Sequence, residues 1–267
     1  MPKPKVLILR TAGTNCDFET QYAFEKAGAE AERVHINRIL ENKGSLHNYH
    51  IIAIPGGFTY GDDIAAGKLF ANELYFNLKD DIDKFINDGK LIIGICNGFQ
   101  VLVKAGFLPA IKNGQQPTHP FDLNATLTFN DSGKFEDRWI YLKACSTKTP
   151  FVNEGDNIYI PVANAEGKFI PKDDDVLKNL NDSGQVVYRY VNKSGEVDGY
   201  PCNPSGSIDN IAGICDSTGR VFGLMPHPER HVDPTQHPRW TREGLKEEGE
   251  GIVIFRNGVD YIKKHWN

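Results

Sequence analysis

Over the first hundred residues, short apolar runs alternate with segments whose apolar positions recur at helical spacing. KVLILR (5–10), a weaker segment at 31–36, IIAI (51–54) and LIIGI (91–95) read as strands, the apolar ones buried on both faces as in a parallel sheet. Phe18, Tyr22, Ala23 and Phe24 predict a helix that a cap at Asn15 or Asp17 would open and Gly28 would stop. A second helix is expected over 74–87, stopped by Gly89, and a third through Phe99, Val101, Leu102 and Val103. Strands alternating with helices imply βαβ units in an α/β fold, with a mostly parallel sheet and helices on both faces. Ligands of such sheets gather at the carboxyl ends of the strands.

From 112 to 141 the pattern changes to Pro, Asn, Gln and Thr, with short alternating segments at 125–129 and 138–142 that read as antiparallel strands added to the sheet. Further strands are expected at 159–162, 186–190 and 221–225, between turn-rich stretches at 173–182 and 192–209. A charged, glycine-rich surface segment at 235–251 precedes a last helix over 252–264. The pattern carries no internal repeat, and residues 1–267 are expected to form one domain.

Charge and composition remove several classes of function. No apolar run reaches the roughly 18 residues of a membrane span, and MPKPKVLILR has too short an apolar run for a secretory signal, so a cytoplasmic address is expected. A net charge of -5 argues against nucleic acid as the main partner. Five cysteines without the paired spacing of zinc sites suggest reduced thiols and no metal.

One of those cysteines changes the picture. Cys96 lies between Gly94 and Gly98, where the strand 91–95 gives way to a helix, in the cysteine form of a nucleophile elbow. The end of the following helix favours negative charge there. The plain alternative is a core cysteine acting as a small hydrophobe. A cysteine nucleophile needs a base, an orienting group and oxyanion donors. Of eight histidines, His227 stands out in Met225-Pro226-His227-Pro228-Glu229, directly after an apolar strand. The prolines should keep this segment extended, so that His227 and Glu229 project to the same side, carboxylate holding imidazole; the alternative is a solvated surface turn. The Asn97 amide follows from the elbow, and the Gly57 amide, in Pro55-Gly56-Gly57 after the strand 51–54, is the second oxyanion candidate. Three weaker patterns are set aside. The segment 61–69 mimics a phosphate loop but has one residue too many and Leu69 where a hydroxyl is needed. Prolines interrupt the histidine series 227, 231, 237 that would otherwise suggest a metal. The glycosylation patterns at Asn124 and Asn181 lack a secretory signal.

Together, Pro-Gly-Gly-Phe-Thr-Tyr-Gly-Asp (55–62), Gly-Ile-Cys-Asn-Gly-Phe-Gln (94–100) and Met-Pro-His-Pro-Glu-Arg (225–230) resemble the signature blocks of class I glutamine amidotransferases. In detail they resemble the glutaminase subunits of purine biosynthesis, and the blocks at 134–139, 160–167 and 203–207 support this along nearly the whole chain. The resemblance implies a flavodoxin-like fold, Cys96 as nucleophile, His227 as base, Glu229 as its orienter, Gly57 and Asn97 as oxyanion donors, and Gln100 helping to hold substrate glutamine. It also implies a synthetase partner and a small accessory subunit. ATP and magnesium would belong to that synthetase, which installs the ammonia on formylglycinamide ribonucleotide, and no cofactor is expected in this chain. A different synthetase is the alternative, and further off a non-catalytic module or another cysteine hydrolase on the same sheet. Asn164 departs from the pattern, which often has histidine there, and the segments 134–139 and 235–240 look more like those of the large fused enzymes.

Overall fold

The computed structural model describes residues 2–110 and 123–266. Its elements in chain order are β1 (Lys5–Arg10), α1 (Asp17–Lys26), β2 (Glu30–His35), α2 (Ile36–Glu41), β3 (Ile51–Ile54), α3 (Lys68–Asn87), β4 (Leu91–Ile95), α4 (Asn97–Lys104), β5 (Ala125–Thr128), β6 (Glu136–Ala144), β7 (Ile158–Asn164), β8 (Lys168–Pro171), α5 (Asp174–Asp182), β9 (Val186–Val191), β10 (Ile211–Cys215), β11 (Val221–Leu224), α6 (Trp240–Glu243) and α7 (Ile252–His265).

Nine of the described strands form one sheet in the order β2-β1-β3-β4-β11-β10-β9-β6-β7. The first five are mutually parallel, and the rest join through antiparallel pairs. All residues of β3, β4 and β11 are buried, which is why their sequences are apolar without alternation. From β1 the chain crosses to β2 on one side of β1, whereas from β3 it crosses to β4 on the other side. Right-handed crossovers, the rule for parallel strands, then put α1 and α3 on opposite faces. Phe24 of α1 packs edge-on against Phe255 of α7 in one layer, at 4.9 Å between ring centroids. The reversal of direction opens a crevice between the carboxyl ends of β1 and β3, the place where such sheets receive ligands.

The second half differs from expectation in three places. The segment at 125–129 does not join the main sheet: β5 pairs antiparallel with β8 in a separate two-stranded ribbon. The stretch 173–182, read as turn-rich, is helix α5; Asp173 caps it by accepting from the Val176 amide at 2.8 Å, and Val176 and Leu180 lie buried on one face. β10, IAGIC, fills a place in the sheet inside a stretch for which no strand was expected. Helix α3 begins at Lys68, six residues before the expected 74, because Phe70 and Ala71 continue its buried stripe through Leu74, Leu78, Ile82 and Phe85. At α1, Cys16 holds the cap position without a side-chain cap bond, and Asp17 is the first helical residue. The early part of the segment from 112 lies outside the described residues. Among the described residues no helix is long and apolar enough to cross a membrane.

Candidate active site

Cys96 caps α4 with φ 51° and ψ −106°, a backbone conformation that L residues seldom adopt and that costs about 1–3 kcal/mol. Its surroundings hold it there. The Cys96 amide donates to the Leu224 carbonyl at 2.8 Å, and its carbonyl accepts from the amides of Phe99 and Gln100 at 3.0 and 3.1 Å. A Cβ at Gly98 would fall 1.9 Å from the Ile54 carbonyl oxygen, and one at Gly94 would fall 2.6 Å from that of Gly98. The turn therefore closes only with glycine on both sides of the cysteine. Cys96 is 5% exposed, with Sγ 3.7 Å from the Ala163 carbonyl oxygen of β7.

The parallel register Leu224↔Ile95 makes β11 and β4 leave the sheet at the same edge, so the segment after Leu224 is delivered beside Cys96. The His227 amide is tied to the Pro161 carbonyl at 2.8 Å. His227 Nδ1 lies 2.6 Å from Glu229 Oε1, and both residues are 1% exposed. The pairing was expected, but its cause differs from the expectation. Residues 228–230 form a 3-10 turn rather than extended chain. Pro228 opens it, having no amide proton to leave unsatisfied and a φ already suited to helix, and the turn folds the carboxylate back onto the ring. Burial alone would pull the imidazole's pKa down. The Glu229 carboxylate, with Cys96 and Cys16, outweighs it and holds the pKa well above the ordinary value. His227 is thus held toward its protonated form beside two cysteine sulfurs. Among the described residues its Nε2 and Glu229 Oε2 make no hydrogen bond.

The imidazole and the thiol converge over Gly56, where a Cβ would lie 2.8 Å from His227 Cε1 and 3.4 Å from Cys96 Cβ. Gly57 follows at φ +149°, with its Cα against residues 13–15: a Cβ there would meet the Gly13 oxygen at 2.7 Å. The Phe58 and Asn15 amides on either side are used, donating to Gly13 and Gly56 carbonyls at 2.9 and 3.4 Å. Neither the Gly57 nor the Asn97 amide donates a hydrogen bond among the described residues.

The Asn97 side chain is a hub beneath this site. Its Oδ1 accepts from the Thr59 hydroxyl at 2.7 Å, and its Nδ2 donates to Asp62 Oδ1 at 3.2 Å and to Gln100 Oε1 at 2.9 Å. Gln100 Nε2 donates to the Glu166 carbonyl at 2.7 Å. Each end of the Gln100 amide thus has a protein partner that ties it to Asn97 and residue 166, and a second N–H and a second lone pair remain for the glutamine contact expected of it. Behind them, Lys104 is 3.6 Å from Glu166 Oε2; burial lowers the Lys104 pKa against the raising effect of that carboxylate.

Cys16, which drew no attention in the sequence, enters the same site. It follows β1, whose carboxyl end borders the crevice, and a marker was present in its position beyond a strand end. Its Sγ donates to Asn15 Oδ1 at 3.2 Å and accepts from Arg230 Nη2 at 3.1 Å. Asn164 closes β7 with a buried side chain whose amide has no partner among the described residues. The other weak patterns fall elsewhere. At the false phosphate loop the Gly67 amide is taken by the Asp62 carboxylate at 3.1 Å. His231 has its Nδ1 on the Tyr159 carbonyl at 2.7 Å and its ring edge-on to Trp139. All five cysteines are free.

Residues 3–262 match the model of the CobB/CobQ-like glutamine amidotransferase domain. The chain is 51% identical over 267 residues to phosphoribosylformylglycinamidine synthase subunit PurQ of Dehalococcoides mccartyi, covering 99% of this chain and 100% of that one. It is 45% identical to PurQ of Archaeoglobus fulgidus, covering 97% of each. Among solved structures it is similar to a chain of PurLQS from Thermotoga maritima, with a TM-score of 0.73, 33% identity and coverage of 97% of this chain and 99% of that one. A glutamine amidotransferase from the same organism, 16% identical with a TM-score of 0.50 over 91% of this chain and 83% of that one, shares the fold.

Proposed function

The chain belongs to the CobB/CobQ-like glutamine amidotransferase family, and from that premise we propose that it is the glutaminase subunit of phosphoribosylformylglycinamidine synthase in purine biosynthesis. It hydrolyses glutamine to glutamate and ammonia for a synthetase subunit. The observation that carries the chemistry is the convergence of Cys96, in its strained elbow, with the buried His227–Glu229 pair.

The Cys96 thiolate attacks the side-chain carboxamide carbon of glutamine, and the carbonyl oxygen becomes an oxyanion facing the Gly57 and Asn97 amides. As the tetrahedral adduct collapses, the His227 imidazolium gives its proton to the departing nitrogen, and ammonia leaves a thioester behind. Neutral His227 then takes a proton from water, which attacks the thioester; glutamate departs and the thiolate–imidazolium pair is restored. Glu229 keeps one tautomer and stabilises the imidazolium at both stages. Asn97 and Gln100 act from beneath by fixing the wall at residues 59, 62 and 166.

The ammonia passes to a synthetase partner that uses ATP and magnesium and acts on formylglycinamide ribonucleotide, with a small accessory subunit in the same complex and a cytoplasmic address. The likeness to PurQ and to a PurLQS structure supports this assembly. Co-expression with the synthetase and accessory subunits tests it. Glutamine-dependent formation of the amidine product in the reconstituted mixture is expected, and failure of the three chains to associate or to couple glutamine to that product refutes it.

A further inference from the structure

Cys16 is not needed by the glutaminase cycle, yet its sulfur is built into the catalytic centre. Cys16 Sγ, a His227 ring nitrogen and a Glu229 carboxylate oxygen lie within 4.8 Å of one another, and all three residues are buried. Glu229 occupies His227 Nδ1 at 2.6 Å, while Nε2, on a ring 1% exposed, has no hydrogen-bond partner among the described residues. Cys96 is not in that group, but its Cβ borders the same point. A Cβ on Gly56 would be 3.3 Å from Cys16 Sγ, 3.4 Å from Cys96 Cβ and 2.8 Å from His227 Cε1.

Two sulfurs and one imidazole nitrogen, with a carboxylate behind the imidazole, are the donors of a thiophilic d¹⁰ cation. The carboxylate–histidine arrangement is the outer support that zinc-bound histidines usually have, and a set of two cysteines and one histidine leaves a fourth, open position. We propose that Cys16, Cys96 and His227 form an inhibitory site for a zinc-class cation, with Glu229 as the outer carboxylate. Zinc–sulfur bonds of about 2.3 Å and zinc–nitrogen bonds of about 2.0–2.1 Å place tetrahedral donors roughly 3.3–3.8 Å apart. The 4.8 Å limit covers Cys16 and His227 but not Cys96, so that pair contracts by up to about an ångström. Cys96 supplies the third donor only by turning about χ1, away from the Ala163 carbonyl oxygen that now lies 3.7 Å from its Sγ. Whatever protons the two sulfurs hold, and the Nε2 proton, leave to solvent on binding. The bound ion takes both the attacking sulfur and the nitrogen that moves the proton, so it stops turnover. The inhibitory effect rests on the glutaminase reading, whereas occupancy of the site does not.

The test uses the full chain with Cys145→Ser and Cys202→Ser, which removes the two thiols that are not buried. Zinc stoichiometry and affinity are measured by competition with a chromophoric chelator, and cobalt(II) serves as the spectroscopic probe. One zinc per chain is expected, weakened at least tenfold by Cys16→Ser and likewise by Cys96→Ser, with a thiolate-to-cobalt charge-transfer band about halved in each. Glutaminase activity of the parent should fall with zinc occupancy and return with EDTA, Cys16→Ser being compared with its own uninhibited rate; Cys96→Ser, which lacks the nucleophile, is read by binding alone. If Cys16→Ser binds zinc as tightly as its parent, the ion is held by the catalytic thiol alone and the proposal fails. Failure to bind zinc at all is equally fatal. Should Cys16→Ser not fold, the cobalt band of the Cys96→Ser protein decides: its presence reports Cys16 as a ligand, and its absence overturns the site. A chain that binds zinc through Cys16 but releases no glutamate would refute the proposed function and leave the metal site standing.

Discussion

Glu229→Gln isolates the electrostatic contribution of the carboxylate from its shape. The substitution keeps an oxygen able to accept from His227 Nδ1, which now lies 2.6 Å from Glu229 Oε1 with both residues 1% exposed. What it removes is one negative charge beside a ring that is an imidazolium before ammonia leaves and must become one again as water attacks the thioester. With charge centres about 4 Å apart and an effective dielectric near 20, the lost attraction is about 4 kcal/mol, or roughly a thousandfold in kcat if all of it is felt in the transition state. The pH profile carries a second signature. Glu229, Cys96 and Cys16 raise the His227 pKa against the downward pull of burial, so taking away Glu229 lowers it. The protonated ring that must feed the leaving nitrogen is then lost at lower pH, and the alkaline limb of kcat/KM moves toward acid. Glutamate formation followed across pH reads both effects, and a thermal melt checks that the variant is folded. A folded variant that loses less than about tenfold in kcat, with its alkaline limb unmoved, would refute the reasoning.

A glutamine-mimicking electrophile should label Cys96 and none of Cys16, Cys145, Cys202 or Cys215, as read by peptide mapping; in the assembled complex, Cys96→Ala should abolish glutamine-dependent synthesis and spare synthesis from added ammonium. His227→Ala should remove glutaminase activity, whereas His231→Ala, which loses a bond to the Tyr159 carbonyl and an edge contact with Trp139, should keep kcat within a few-fold while lowering stability by about 1–2 kcal/mol in denaturant unfolding. Gly98→Ala would push a methyl group to within 1.9 Å of the Ile54 oxygen; it should destabilise by about 3 kcal/mol or more, beyond ordinary overpacking because backbone has to move, and a variant melting like the parent would show that the elbow yields.

By itself the sequence determined the strands at 5–10, 51–54 and 91–95, because residues buried on both faces of a parallel sheet must be apolar throughout, and that leaves a mark independent of context. It determined the elbow for a similar reason, since only glycine fits where Gly94 and Gly98 press on neighbouring backbone. The family was legible too, from blocks at 55–62, 94–100 and 225–230. The partnership of His227 with Glu229 was reached through an extended segment, yet a 3-10 turn produces it; an i, i+2 pair faces one way in a strand and can be folded together by a tight turn, and local spacing does not separate the two. Helix α5 was hidden because polar surface residues with a two-residue apolar face resemble a turn until a sheet is there to bury Val176 and Leu180. The ribbon of β5 with β8 depends on a pairing across some forty residues, which alternation along either strand does not encode. Cys16 was invisible for a related reason. Nothing around it in the chain demands a thiol, and only the order of the strands, with β1 beside β3 and β4 next to that, brings its sulfur from the start of α1 to the ring of His227.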